Sequence, residues 1–297
     1  MFKKCLECFS HKKFDKLIGE CYIPPNTSIK LYRKIWVTQK NIEVEENKAL
    51  KKEEPKERTR KNSFLMERVK NVKSISIWIF IIPFLAVNAC LFLSTNLHSL
   101  IPDELHQYRI PNTFPYFDGA VSISRTARYF PAYLVFKPAM FFTSFLLIRY
   151  WLLNKEIIQS FEKNHKHLNK VVFFGISSAV ALTTHSIFLG ISFDNDLYKL
   201  FRRVIMLTFI IFEVVAQAYL VATLYSFKDK LDRFINKKYL KIKLFLVSTL
   251  AIVAIISIPL ISLPGNKFLK HALEWDYFLG VIIFYLLTFF MWKNKKN

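Results

Sequence analysis

Six long apolar runs constrain this chain more than anything else in it: Ile75 to Ser94, Phe130 to Trp151, Val171 to Ile191, Val204 to Tyr225, Leu244 to Leu263 and Trp275 to Met291. A helix rises about 1.5 Å per residue, so about 20 consecutive apolar residues cross the hydrocarbon core of a bilayer. Each run has that length. A large soluble core hides one such helix readily, but six in succession leave too little polar surface. The runs therefore predict an all-α integral membrane bundle of six transmembrane helices, with spans at about 75–94, 130–151, 171–191, 204–225, 244–263 and 275–291.

Charge orients the bundle. Lys and Arg number 19 up to Lys73, four after the second span, seven after the fourth and three in the tail, against three, three and two in the alternate loops. By the positive-inside rule both the N- and the C-terminus are cytoplasmic. The same bias accounts for the net charge of +21 without nucleic acid as a partner. The excess suits membrane lipids instead, with the run Lys56 to Lys73 placed against anionic headgroups at the cytoplasmic face. Residues 1–73 read as a basic cytoplasmic extension, partly disordered, 74–292 as the transmembrane domain and 293–297 as a cytoplasmic tail. No apolar stretch before Ile75 has the form of a cleavable signal, so the first span is expected to direct its own insertion, into a plasma membrane, an endomembrane or a bacterial cytoplasmic membrane. The sequence carries no signal for an oligomeric state.

Two sets of metal-ligand residue types occur. Cys5, Cys8, His11 and Cys21 offer thiolates and an imidazole, but at irregular spacing, so they read as incidental cytosolic thiols with no metal bound and no cofactor implied. His98, Asp103 and His106 lie in the first loop, where Pro102 separates His98 from the other two, and read as a solvated loop.

The stretch Pro115 to Trp151 is more informative, because a polar loop runs directly into the second span. Ser122, Ser124, Arg125 and Arg128 could hold a phosphate or carboxylate headgroup, or could anchor the loop at the interface beside Tyr129 and Phe130. Estimated depths bring Asn88, Lys137, His185 and Glu213 to one level, with Gln217 a turn from Glu213. A charge inside the hydrocarbon needs a partner, so Lys137 and Glu213 are expected to pair. Such a pair either fixes helix register or forms the floor of a binding cavity opening toward the first loop. An enzymatic version would use His185 as general acid/base with Asp118 or Glu213 assisting. A transporter is less well supported, since no inverted repeat is visible.

Within the same stretch the Ile123-Ser124 step, Pro131 and Phe136 at the head of the second span, and Arg149-Tyr150 at its far end resemble the FRAG/DRAM/SFK group of six-span membrane proteins. That group includes a factor for lipid remodelling of GPI anchors and a damage-regulated autophagy modulator. The chain departs from it in having Ala132 where the family usually has Glu, and Ala120 and Val121 where it has a proline. The resemblance implies a role in lipid handling or lipid-linked trafficking. Together with the polar layer it leads to the expectation of a lipid-binding or lipid-organising membrane protein rather than an enzyme.

Overall fold

Where the apolar runs lie, the chain is helical. The structure, a computed structural model, describes residues 29–96, 110, 113–163, 165–191, 196–232, 234–262 and 265–293, with side chains from Ser63 onward except those of 199 and 258–262. The helices are α1 (Ile29–Asn96), α2 (Pro115–Asp118), α3 (Ile123–Thr126), α4 (Ala132–Phe161), α5 (Leu168–Phe188), α6 (Asp196–Ser226), α7 (Lys237–Ser262) and α8 (Lys267–Met291). Six of them contain stretches long and apolar enough to cross a membrane, α1 through its part Ser63–Asn96. The protein is thus an integral membrane protein built only from helices among the described residues, as the runs predict. By its contacts the chain divides into two units, 1–60 and 61–297, and the spans belong to the second. The zinc-type residues Cys5, Cys8, His11 and Cys21, and the loop residues His98, Asp103 and His106, lie outside the described residues.

Inside hydrocarbon every polar group needs a partner within the protein. Many hydroxyls of the spans find theirs on their own helices: Thr143 donates to Ala139 O at 2.8 Å, Ser144 to Met140 O at 2.8 Å, Ser186 to Leu182 O at 2.8 Å and Thr223 to Tyr219 O at 2.8 Å. Large apolar side chains such as Phe145, Val180, Ile211, Phe245 and Ile255 stay exposed on the bundle surface, where lipid covers them.

Neighbours in sequence pack side by side, α4 on α5, α5 on α6, α6 on α7 and α7 on α8, while α8 also meets α6 and the short helices α2 and α3. The last helix is therefore the element against which the first loop rests. At the opposite end, Asn236 N–H donates to Met291 O at 2.8 Å and Lys293 N–H to Phe234 O at 2.9 Å, tying the α6–α7 connection to the end of α8. Arg68 of α1 forms an ion pair with Glu156 of α4 at 2.8 Å near that same end.

Two glycines allow neighbouring spans to approach closely. A Cβ on Gly175 of α5 would overlap the indole of Trp151 on α4, and one on Gly280 of α8 would overlap Leu250 of α7. Trp151 is fully buried, so its ring has nowhere to retreat. Replacing Gly175→Ala is expected to lower stability by about 1–3 kcal/mol, the usual cost of overpacking. Thermal unfolding of the purified protein in detergent checks this, and the same substitution should cost less in a Trp151→Leu background than in the parent protein.

Candidate functional site

The first loop is fastened to α8 by polar and aromatic contacts. Trp275 Nε1 donates to Val121 O at 2.8 Å, His271 Nδ1 lies 3.0 Å from Gly119 O, and the rings of Tyr116 and Trp275 meet at 4.8 Å. Gly119 adopts a left-handed conformation with φ 59° and sits so close to Phe268 O that any side chain would collide with it. Asp118 stabilises the same turn, accepting from Thr113 Oγ1 at 2.6 Å and from the N–H groups of Phe114 and Ala120 at 2.9 and 2.8 Å.

Beneath this loop lies a cavity of about 90 Å³. Its walls come from α1 (Ile79, Pro83, Val87), α4 (Phe136, Met140, Thr143, Leu147), α5 (Leu182, His185), α6 (Met206, Phe209, Ile210, Glu213) and α8 (Glu274, Tyr277, Phe278, Val281, Ile282, Tyr285), with Ile123 and Ser124 of α3 as the roof. The α8 residues 274, 278, 281, 282 and 285 recur at helical spacing and mark one face, as 206, 209, 210 and 213 do on α6.

Glu213 is wholly buried and fully hydrogen-bonded. Ser178 of α5 donates to its Oε2 at 2.5 Å, Gln217 Nε2 to its Oε1 at 3.1 Å, and the Tyr285 hydroxyl of α8 to Oε1. One carboxyl thus joins α5, α6 and α8. Two other polar atoms of cavity-lining residues have no partner: His185 Nδ1 and Glu274 Oε1, both shielded from solvent. Glu274 faces the backbone N–H groups of Ile123 and Ser124, at the start of α3.

The predicted polar layer is reunited only in part. His185 and Glu213 line the same cavity, and Gln217 holds Glu213 as its spacing suggests. The expected Lys137–Glu213 pair does not form. Lys137 Nζ lies 3.5 Å from Ile187 O and 5.9 Å from the Tyr133 ring centre, while Glu213 is held by hydroxyls and an amide. The reason is depth: α4 begins at Ala132, which leaves Lys137 about 8 Å from the helix start, within reach of the bundle end along its own stem. Asn88 is also turned elsewhere, donating to Phe84 O at 2.8 Å and accepting from Tyr116 at 3.3 Å.

The loop residues separate. Ser122 and Ser124 hydroxyls lie 3.4 Å apart, and Ser124 lines the cavity. Arg125 lies within electrostatic range of His271 on α8, whereas Arg128 is within range of His185 on α5 and Arg202 on α6.

Several residues escaped the sequence reading. Glu274 and Tyr285 share the cavity face of α8, a stripe that becomes visible once the helix is started at Lys267 rather than at the apolar run. Lys243, counted among loop charges, is wholly buried in α7: its Nζ donates to Thr288 Oγ1 at 2.8 Å and lies 3.8 Å from the Phe284 ring centre. No local signal distinguishes it from its exposed neighbour Lys241.

Six apolar helices, five of which wall a cavity roofed by the first loop, define a multi-pass membrane protein. A family model, the Frag1/DRAM/Sfk1/Cwh43P N-terminal domain, matches residues 71–293. The chain belongs to this family, as the Pro115–Trp151 resemblance anticipates. Comparison with curated proteins and with solved structures returned no match.

Two predictions follow from this geometry. Glu213→Ala leaves the Tyr285 hydroxyl without its acceptor, whereas Ser178 keeps Gly175 O at 2.8 Å, and should cost about 1–3 kcal/mol, read as a fall in melting temperature. Hydrogen bonds from Thr113 and from the Ala120 and Phe114 N–H groups hold the Asp118 carboxyl below the ordinary aspartate range. A depressed carboxyl contributes order above its unfolded pKa of about 3.9 and loses it as pH falls through the folded value. Hydrogen exchange at 113–120 should therefore be protected at pH 6, lose protection only below about pH 4, and be unprotected at both in Asp118→Ala. Loss of protection already between pH 6 and pH 5 would contradict this.

Proposed function

We propose that this protein binds a lipid or lipid-linked molecule in the cavity under its first loop, and through it acts in membrane lipid handling. The carrying observation is an apolar-walled space inside a membrane bundle with unpartnered polar atoms, His185 Nδ1 and Glu274 Oε1, on its lining residues. Apolar cavities of about 150 Å³ in protein interiors accept small hydrocarbons such as benzene. A space of about 90 Å³ walled by Leu182, Ile210, Phe209 and Val281 suits part of an acyl chain, with a polar group toward Ser124, His185 and Glu274. The exposed aromatics Phe114 and Phe117 beside the roof are of the kind that settle at a membrane interface.

The opposite end carries Lys155, Lys163, Lys166, Lys170, Lys228 and Lys230, which supports placing that end at the cytoplasmic face against anionic headgroups. A second reading, an enzyme acting on the bound lipid, is favoured by the position of His185 on the cavity wall. It predicts that His185→Ala folds normally and abolishes lipid turnover.

Filling the cavity tests the main reading. Ile210→Trp, purified in a maltoside detergent, should keep a cooperative melting transition and bind a short-chain diacylglycerol at least about tenfold more weakly than the parent protein, a loss equivalent to about 1.4 kcal/mol. Equal binding by the folded variant would remove the cavity from the account.

A further inference from the structure

Three nitrogens without a hydrogen-bond partner belong to groups at one corner of the bundle. Arg128 Nε, on the turn after α3, Arg202 Nε, in the second turn of α6, and His185 Nδ1, near the end of α5, are all shielded from solvent and unpartnered. They belong to one neighbourhood: Arg202 lies within electrostatic range of Arg128, and both lie within range of His185. Helical spacing places them relative to the cavity. Arg202, Met206, Phe209 and Glu213 follow one another on a single face of α6, so Arg202 stands one turn beyond the cavity-lining Met206. His185 itself lines the cavity, and Arg128 follows the cavity-lining Ser124 by four residues.

Both guanidinium groups are fixed by their surroundings. Arg128 lies 6.0 Å from the Tyr129 ring centre and Arg202 5.9 Å from that of Tyr198, whose hydroxyl donates to Phe188 O at 2.9 Å. The Arg128 carbonyl packs against Gly190 in the turn that follows α5. Among the described residues no carboxylate forms an ion pair with either arginine, whereas Arg68 and Lys237 have theirs. Two like charges within electrostatic range of each other beside an apolar space, with an unpartnered imidazole nitrogen in range of both, suit an anion.

We infer that Arg128, Arg202 and His185 form a phosphate-binding site at the mouth of the cavity, which receives the phosphoryl group of a phospholipid or lipid phosphate whose chain enters the space below. Guanidinium groups suit phosphate because their planar N–H pairs match its oxygens, and a neutral imidazole N–H adds a donor without requiring protonation. This inference rests on the lipid-binding reading of the same cavity. It differs from the sequence-based grouping in its partners: Arg128 acts with Arg202, which comes from another span, while Arg125 turns toward α8.

The test compares three soluble probes on the full-length protein in maltoside detergent by calorimetry: dihexanoyl phosphatidic acid, dihexanoyl glycerol and inorganic phosphate. Phosphatidic acid should bind at least about tenfold more tightly than the glycerol. Arg202→Gln and Arg128→Gln should each remove most of that preference while leaving glycerol binding and the melting temperature unchanged, and Arg202→Lys should restore part of it. Inorganic phosphate binding as tightly as phosphatidic acid, and lost in the same variants, would keep the anion site but assign it to a free phosphate. Failure of the glycerol to bind, with phosphate binding intact, would sink the lipid reading and spare the arginine site. Phosphatidic acid and phosphate both binding the folded Gln variants as tightly as the parent protein would overturn the site itself.

Discussion

A carboxyl group in the middle of a membrane bundle must be surrounded by donors, and Glu213 satisfies that requirement with side chains from three helices. Ser178 reaches it from α5, Gln217 from its own helix and Tyr285 from α8. Lipid offers no substitute for these donors, so the angular positions of α5, α6 and α8 about their axes are coupled through one group. Apolar packing alone would not achieve this, because lipid tails solvate Leu and Phe as well as a neighbouring helix does. The register of these helices in turn determines which residues line the cavity. His185 lies seven residues from Ser178 on α5, and Glu274 lies eleven from Tyr285 on α8, so both are carried to the same side.

The two intramembrane lysines illustrate how the same side chain is treated at different places. Lys137 lies near the start of α4 and uses its flexible stem to reach a carbonyl at the end of α5. Lys243 is wholly enclosed and instead relies on Thr288 and the face of Phe284. Tyr150 of α4 approaches the same Thr288 hydroxyl at 3.3 Å and packs on Tyr285 with ring centres 4.9 Å apart. The Lys243 and Glu213 clusters are therefore adjacent, with the Tyr150–Tyr285 contact between them, and together they link α4, α5, α6, α7 and α8. The bundle is held by polar contacts where a soluble protein would rely on apolar burial.

The six crossings were legible in the sequence because hydrocarbon thickness sets a length that few other constraints demand. Helix ends were less legible. An apolar run marks the part of a helix in hydrocarbon, whereas α4, α6 and α8 extend past it into charged residues that remain helical. That difference shifted the estimated depth of Lys137 and suggested a pairing with Glu213 that the structure replaces with hydroxyl donors. It also hid Glu274, which stands just before the sixth run but inside α8. His185, Glu213 and Gln217 were found because polar residues inside an apolar run have few innocuous explanations. Arg202 and Lys243 were set aside as ordinary basic residues at loop edges. Only the rotation of α6 and α7, which follows from packing, separates them from their exposed neighbours Arg203 and Lys241.

The arrangement of charge along the cavity follows from the same physics. Arginines are placed at the end of the bundle, where their stems lie among apolar groups and an entering anion can compensate them. The carboxyl of Glu213 lies deeper, where only fixed donors can reach it. An anionic headgroup attracted by Arg128 and Arg202 would thus meet a site whose donors are already committed if it moved farther in, since Ser178, Gln217 and Tyr285 are all engaged with Glu213. A hydrocarbon chain meets no such barrier along Leu182, Phe209 and Val281. On the proposed lipid-binding reading this polarity would orient an amphiphile head toward the first loop and tail toward the bundle centre, beneath the loop that Trp275, His271 and Tyr116 hold on α8.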